Sequence, residues 1–367
     1  MKRISIFLTL LLSLGCENTT SGFETPEGPI TPDGYRPPPP TKENIEKMVR
    51  DAIKNMVFVE GGTYMMGNFI CLDGDLNENV KKYQIELIFC RTDEGPLHKV
   101  RLDSFSLNKY EISYYEYDLF TQATNRPWIQ YDILNPKWWG QSSSYESAKR
   151  RFSKLRTGEM PAAIDWFQAS DYCRWLGTVT GLPVELPTEA EWEFAARNRG
   201  QDFPYATDNG RIEPGRNYPS KAEDKRQPVK SFIPNLLGLY NMSFNVMEWV
   251  SDWYDENYYK QSPVDNPQGP QHGRGKVLRG GVAENKPSFN HNFGRVAKDI
   301  DYTHDKEILE MFNFSEGDAL FKHGARCAIH LSEPIDINNL KIDLSKPAPD
   351  SRAEWLATKD GRTSSSN

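Results

Sequence analysis

Cysteine and histidine carry the sharpest chemistry in this 367-residue chain, and their spacing limits what that chemistry can be. Thiolates are soft nucleophiles and ligands; imidazoles bind metals and move protons near neutral pH. The six histidines, His98, His272, His291, His304, His323 and His330, never fall four apart, so no helical metal-binding pair is announced. A GxSxG nucleophile elbow is also absent. Of the five cysteines, Cys16 belongs to a leader. Lys2 and Arg3 precede an apolar run from Ile4 to Leu14 that is too short to span a bilayer, and Ser13-Leu14-Gly15-Cys16 sets small residues before a cysteine. This predicts a lipoprotein signal over residues 1–16, with Cys16 acylated at the mature N-terminus. Two or more acyl chains suffice for stable anchoring. Glu17, where an Asp would signal inner-membrane retention, points to the outer membrane with the chain facing the periplasm.

In an oxidising compartment the remaining Cys71, Cys90, Cys173 and Cys327 form an even set open to three disulfide pairings. The charge balance, 44 Lys+Arg against 51 Asp+Glu, gives a net −7 and removes the counterion-release drive on which nucleic-acid binders depend. A nucleic-acid partner is therefore excluded.

Short elements must position these side chains. Residues 17–41 read as a tether, ending in Arg36-Pro37-Pro38-Pro39-Pro40, an extended polyproline spacer. An amphipathic segment from Glu43 to Asn55, with Ile45, Val49 and Ile53 on one face, opens the globular part. Strand-like runs follow at Val57 to Glu60, Val100 to Leu107 and Lys276 to Arg279, with helices at Trp166 to Thr178 and Thr188 to Arg197. Thr188 and Glu191 form a capping box ahead of a Trp192, Ala195, Ala196 stripe, so the acids of that helix read as architecture. Gly280-Gly281 marks a strand end where the backbone turns tightly or approaches something closely. No long internal repeat occurs, which excludes a solenoid or propeller. The polar stretch 346–367 reads as a frayed tail. The physical reading is one irregular α+β domain over 42–345.

Several segments, in order, resemble the formylglycine-generating enzyme (sulfatase-modifying factor) family. They are Phe58 to Gly67 with Pro96 to Val100; Asn108-Lys109-Tyr110-Glu111-Ile112-Ser113; Asp165 to Leu176; Leu186 to Arg197; Asn235 to Asn241 running into Asn245-Val246-Met247-Glu248-Trp249; Arg279-Gly280-Gly281; and Gly324-Ala325-Arg326-Cys327-Ala328. The resemblance implies an irregular domain of low secondary-structure content related to C-type lectins. It also implies a structural disulfide between Cys173 and Cys327, which leaves Cys71 to pair with Cys90, a loop closure worth roughly 3 kcal/mol. The family's oxidase chemistry needs two cysteines soon after the Arg-Gly-Gly turn, a thiolate pair that holds Cu(I). Here Val282 to Asn292 contains none, Val282 replaces the usual serine, and neither His291 nor amides supply soft ligands. No copper and no formylglycine-generating activity are expected. A second branch, the iron-dependent sulfoxide synthases, leaves a cysteine-independent metal-dependent enzyme as an alternative reading.

The resemblance also implies a structural Ca²⁺ held by Asn241, the carbonyls of Phe244 and Val246, and Glu248, hard oxygens in a turning loop. Phe244 stands where the family has Gly, and Met247 where it has Trp. A second family calcium site would fall on Asn217 and Asp224. Relative to a minimal family domain the chain has grown near 68–94, 128–158 and 299–323, and long insertions in compact folds are functional loops or disordered segments. Trp128, Ile129, Tyr131, Trp138, Trp139 and Tyr145 give the middle insertion the aromatic density of interface cores. With Asn285, Asn290 and His291, the residues Trp128, Tyr131, Trp138 and Trp139 are the candidate partner contacts. The expectation is a catalytically inactive, lipid-anchored protein-binding module. Lipoproteins of the family that lack the cysteines occur as immunity proteins against lipase-type effectors, such as those delivered by type VI secretion, and as structural components of secretion or gliding machines.

Overall fold

The computed structural model describes residues 35–72, 75–76, 79–83, 91–127, 156–220, 226–273, 275–281, 290–300 and 322–363. Cys16, Cys90, Trp128, Tyr131, Trp138, Trp139, Asp224 and Asn285 lie outside them.

Helix α1 (Lys42–Lys54) starts where Thr41 accepts a hydrogen bond from the Asn44 amide, and buries Ile45, Met48, Val49, Ala52 and Ile53. Strands β1 (Met56–Val59) and β2 (Gly62–Met66) follow, then a short hairpin of β3 (Cys71–Leu72) and β4 (Asp75–Leu76), and α2 (Asn79–Tyr83). The run expected as one strand from Val100 to Leu107 divides at Asp103-Ser104 into β5 (His98–Leu102) and β6 (Phe105–Asn108). These serve different sheets: β5 pairs with β2, and β6 with β1. Helix α3 (Tyr114–Ala123) has a Ser113/Glu116 capping box and α4 (Trp166–Thr180) an Asp165/Gln168 box. Strand β7 (Val184–Glu185) leads to α5 (Glu189–Ala196), capped by Thr188 with Glu191 reaching back. The remaining strands are β8 (Met247–Trp253), β9 (Gly275–Arg279), β10 (Arg295–Asp299), β11 (His323–Gly324) and β12 (Ala328–Ile329).

Two four-stranded sheets result, ordered β1-β6-β12-β7 and β10-β9-β8-β11. Cys173 on α4 is bonded to Cys327 just before β12, the pair implied by the resemblance, with a sequence separation of 154. Cys71 is also disulfide-bonded.

Both ends differ from the sequence expectation. The tether does not run free to residue 41: the Tyr35 ring lies so close to Gly158 that a β-carbon there would approach it to 2.7 Å, and Pro39 O accepts the Thr41 N–H at 2.8 Å. Nor is the tail from 346 frayed throughout, because residues 351–363 form helix α6 (Ser351–Thr363) against α4. Ser351 N donates to Asp171 at 2.7 Å, Arg174 grips Glu354 with two bonds of 2.8 and 3.0 Å, and Trp355 packs on Phe167. Composition hid this helix, since its docking rests on charge pairs rather than an apolar stripe. Leu331, Ile335, Ile337, Leu340, Ile342 and Leu344 meanwhile strap residues 331–344 onto the core.

Candidate functional site

The Arg279-Gly280-Gly281 turn ends β9 at the centre of the molecule. Gly280 has φ +79°, and a β-carbon on it would meet Met242 O at 2.8 Å and the Trp192 ring at 3.2 Å. A β-carbon on Gly281 would fall 2.1 Å from the Asn290 side chain. The fully buried Asn290 donates to Tyr218 Oη at 2.8 Å. His291 is stacked between Phe293 and Tyr205, with ring centroids 4.9 Å away on each side, and its Nε2 lies 3.1 Å from Tyr205 Oη. Burial pulls its pKa down to about 4. Asn290 and His291 are buried and do not form a contact surface as expected.

Helix α5 presents its acids inward. Glu189 accepts from Arg295 Nε and Nη2, both at 2.8 Å, and from Arg279 Nη1 at 3.1 Å, and these cations hold its carboxyl below the usual range against the opposing effect of burial. Glu193 accepts from Arg279 Nη2 at 2.6 Å, Arg197 Nη1 at 2.8 Å and Gly67 N at 2.9 Å. This network clamps the turn to the helix.

Trp192 links that clamp to the loop from Asn241 to Glu248. Its ring lies under the Arg279 guanidinium, 5.3 Å away, while its Nε1 donates to Glu248 Oε2 at 2.7 Å. Arg326 donates to the same Glu248, Nη2 to Oε1 at 2.6 Å and Nε to Oε2 at 2.7 Å. The loop bends through positive φ at Asn241 (61°) and Asn245 (83°), whereas Phe244 stays outside that region. Its phenyl ring packs on Tyr218 and Phe232, each at 5.3 Å, so the bulk in place of Gly is absorbed outside the bend.

Asn241 Nδ2 donates to Glu111 Oε2 at 3.0 Å and to Val229 O at 3.1 Å, while Asn241 Oδ1 is buried with no donor among the described residues. An orphaned buried acceptor costs about 1–3 kcal/mol. Such an oxygen suits a cation, and Glu248 Oε1, which accepts one bond from Arg326, keeps a lone pair. Asn217 differs: its Oδ1 accepts the Glu213 N–H at 2.7 Å.

Two members of this site were missed as site residues. Glu111, fully buried, receives Asn241 and Asn245 and is pushed up to about 8 by burial first and the neighbouring Glu248 charge second. Arg326 neutralises Glu248. Both stood inside quoted segments, and a glutamate or arginine next to β-branched or small apolar neighbours was the available signal. Among the described residues, no three His, Cys, Asp or Glu side chains converge as a metal-holding group.

The chain is similar to several known proteins. The Sulfatase-modifying factor enzyme 1-like domain covers residues 41–306. The formylglycine-generating enzyme of Streptomyces coelicolor is 33% identical over 227 residues, covering 51% of this chain and 70% of that protein. The mouse "Inactive C-alpha-formylglycine-generating enzyme 2" is 28% identical over 244 residues, covering 54% of this chain and 69% of that protein. Serine/threonine-protein kinase Pkn1 of Chlamydia trachomatis is 27% identical over 278 residues, and the match spans 70% of this chain but 40% of the kinase. The solved structure of PvdO from Pseudomonas aeruginosa shares the fold at a TM-score of 0.52 and 22% identity, over 75% of this chain and 94% of PvdO. The chain belongs to the FGE-sulfatase family, whose domain is the sulfatase-modifying factor enzyme 1-like domain.

Proposed function

We propose that this chain keeps the family scaffold without the oxidase chemistry and acts as a protein-binding module. One observation carries the reading: no cysteine occurs between Gly281 and Arg326, where the resemblance requires the copper-binding pair. Cys71, Cys173 and Cys327 are committed to disulfides. Without a thiolate pair there is neither a soft Cu(I) site nor a thiol to form a mixed disulfide with a substrate cysteine. A mouse relative whose name calls it inactive supports the idea that this scaffold persists without the activity.

The finer reading is an exported lipoprotein, anchored through Cys16 and facing the periplasm, that neutralises a lipase-type effector arriving there. Asn241 Oδ1, the Phe244 and Val246 carbonyls and Glu248 hold a structural Ca²⁺ in this proposal, fixing the bend rather than taking part in chemistry.

The test has two arms. Purified protein, supplied with copper, oxygen and a reductant, is given a cysteine-bearing sulfatase peptide; aldehyde formation would overturn the inactive reading. The anchored protein is then captured from envelope fractions, with and without a delivered lipase effector. A stoichiometric complex in which lipase activity falls supports the inhibitor reading, and a multi-subunit envelope assembly replaces it with a structural role.

A further inference from the structure

Away from the turn, two cavities of about 500 and 570 Å³ share Leu331 and Ser332 as walls and so lie side by side as the two halves of one surface groove. Its first half lies between the C-terminal end of α4 and the strap, with Leu182, Leu331, Pro334, Ile335 and Leu340 as apolar walls. Its second half adds Glu60, Asp103, Glu191, Gln268 and His330 to Leu102 and Leu331, with no Lys or Arg among the described lining residues. Most of the apolar half is built from residues 331–341, beyond the matched family span of 41–306.

The charges of the polar half are unevenly balanced. Glu191 is shared with His330, whose Nε2 lies 3.2 Å away, and Glu60 is paired with Arg199 at 2.9 Å. Among the described residues Asp103 meets the amide of Asn266, which donates to its Oδ2 at 2.9 Å while Asn266 Oδ1 accepts the Asp103 N–H at 2.9 Å. The Asp103 carboxylate is thus held in place, exposed and, among the described residues, without a cation. The neighbouring Arg101 is already bound to Asp265 at 2.6 Å and does not line the groove.

We propose that this groove docks a short extended segment of a partner protein in which an apolar side chain is followed closely by a basic one. The apolar residue enters between Leu331, Ile335 and Leu340; the ammonium or guanidinium completes Asp103. Charge complementarity selects this occupant: an acidic or purely apolar segment would leave Asp103 desolvated beside nothing that compensates it. The inference rests on the protein-binding reading and gives it a surface.

The test uses the full folded chain and an array of short synthetic peptides combining Leu, Ala or Glu at one position with Arg, Gln or Glu at a nearby one. Leu-with-Arg peptides are expected to bind best. Asp103→Asn, an exposed substitution that keeps the Asn266 contact, should lower the preference for Arg roughly tenfold. Ile335→Ser should instead lower the preference for Leu and leave the Arg preference in place. Equal binding of Glu and Arg peptides, no binding to any peptide, or an unchanged preference in Asp103→Asn overturns the proposal. Capture of a cellular partner equally well by wild type and Asp103→Asn would sink the groove while leaving the protein-binding reading intact.

Discussion

Glu193 on α5 and Arg279 at the end of β9 meet at 2.6 Å with both side chains fully buried. Removing one member of such a pair leaves an uncompensated charge in low dielectric. Glu193→Gln should lose about 3–5 kcal/mol, read as a lowered urea midpoint. Replacing both members together, Glu193→Gln with Arg279→Met, should cost less than the sum of the single changes, and strict additivity would show that the two act independently.

The Cys173–Cys327 bond joins residues 154 apart and closes the helix α4 onto the sheet through β12. Loop-closure entropy for so long a loop is worth about 5 kcal/mol. Cys173→Ala with Cys327→Ala should lower the thermal midpoint markedly under oxidising conditions. Under strong reductant the wild type should fall at least as far, because the Cys71 bond is reduced as well; a wild type indifferent to reduction would refute the assignment of stability to this bond.

His291 is held neutral by burial, with its pKa lowered to about 4 from the ordinary 6.5. The unfolded chain binds the proton first, so its contribution to stability is complete above about pH 6.5 and is lost as pH falls towards 4. The loss should approach about 3 kcal/mol at the acid end. His291→Phe, which keeps a ring between Tyr205 and Phe293, should flatten that part of the stability profile, and an unchanged profile would place the acid sensitivity elsewhere.

The orphaned Asn241 Oδ1 makes calcium dependence measurable. Ca²⁺ at a hundred times its dissociation constant should stabilise the fold by about 2.7 kcal/mol, seen as a rise in thermal midpoint that a chelator reverses. Asn241→Ala should abolish that response. A midpoint indifferent to Ca²⁺ and chelator would leave Asn241 as a loop residue only.

Much of the scaffold was legible because it is written in local signals. Thr188 with Glu191, and Asp165 with Gln168, fix two helix starts within one turn, and Gly280 declares a tight turn where Trp192 closes in. What escaped was non-local. Asn290 and His291 look like exposed polar loop residues until Tyr218 and Tyr205, far away in sequence, arrive to bury them. Helix α6 has no strong apolar stripe, and its docking depends on Asp171 and Arg174, which nothing nearby in the sequence reveals. The charged groups of α5 were correctly read as architecture, yet their partners Arg279 and Arg295 come from strands that periodicity alone cannot pair with them.

Strand β12, Ala328–Ile329, is inserted between β6 and β7, strands laid down far earlier in the chain. A chain emerging N-terminus first from a ribosome or a membrane pore therefore holds an open gap in its central sheet until residue 329 has appeared. Folding must wait for nearly the whole polypeptide, and a prematurely ended chain has two unpaired strand edges instead of a smaller stable domain. Quality control then has a simple criterion: products ending before β12 remain open to proteases, and completed ones close.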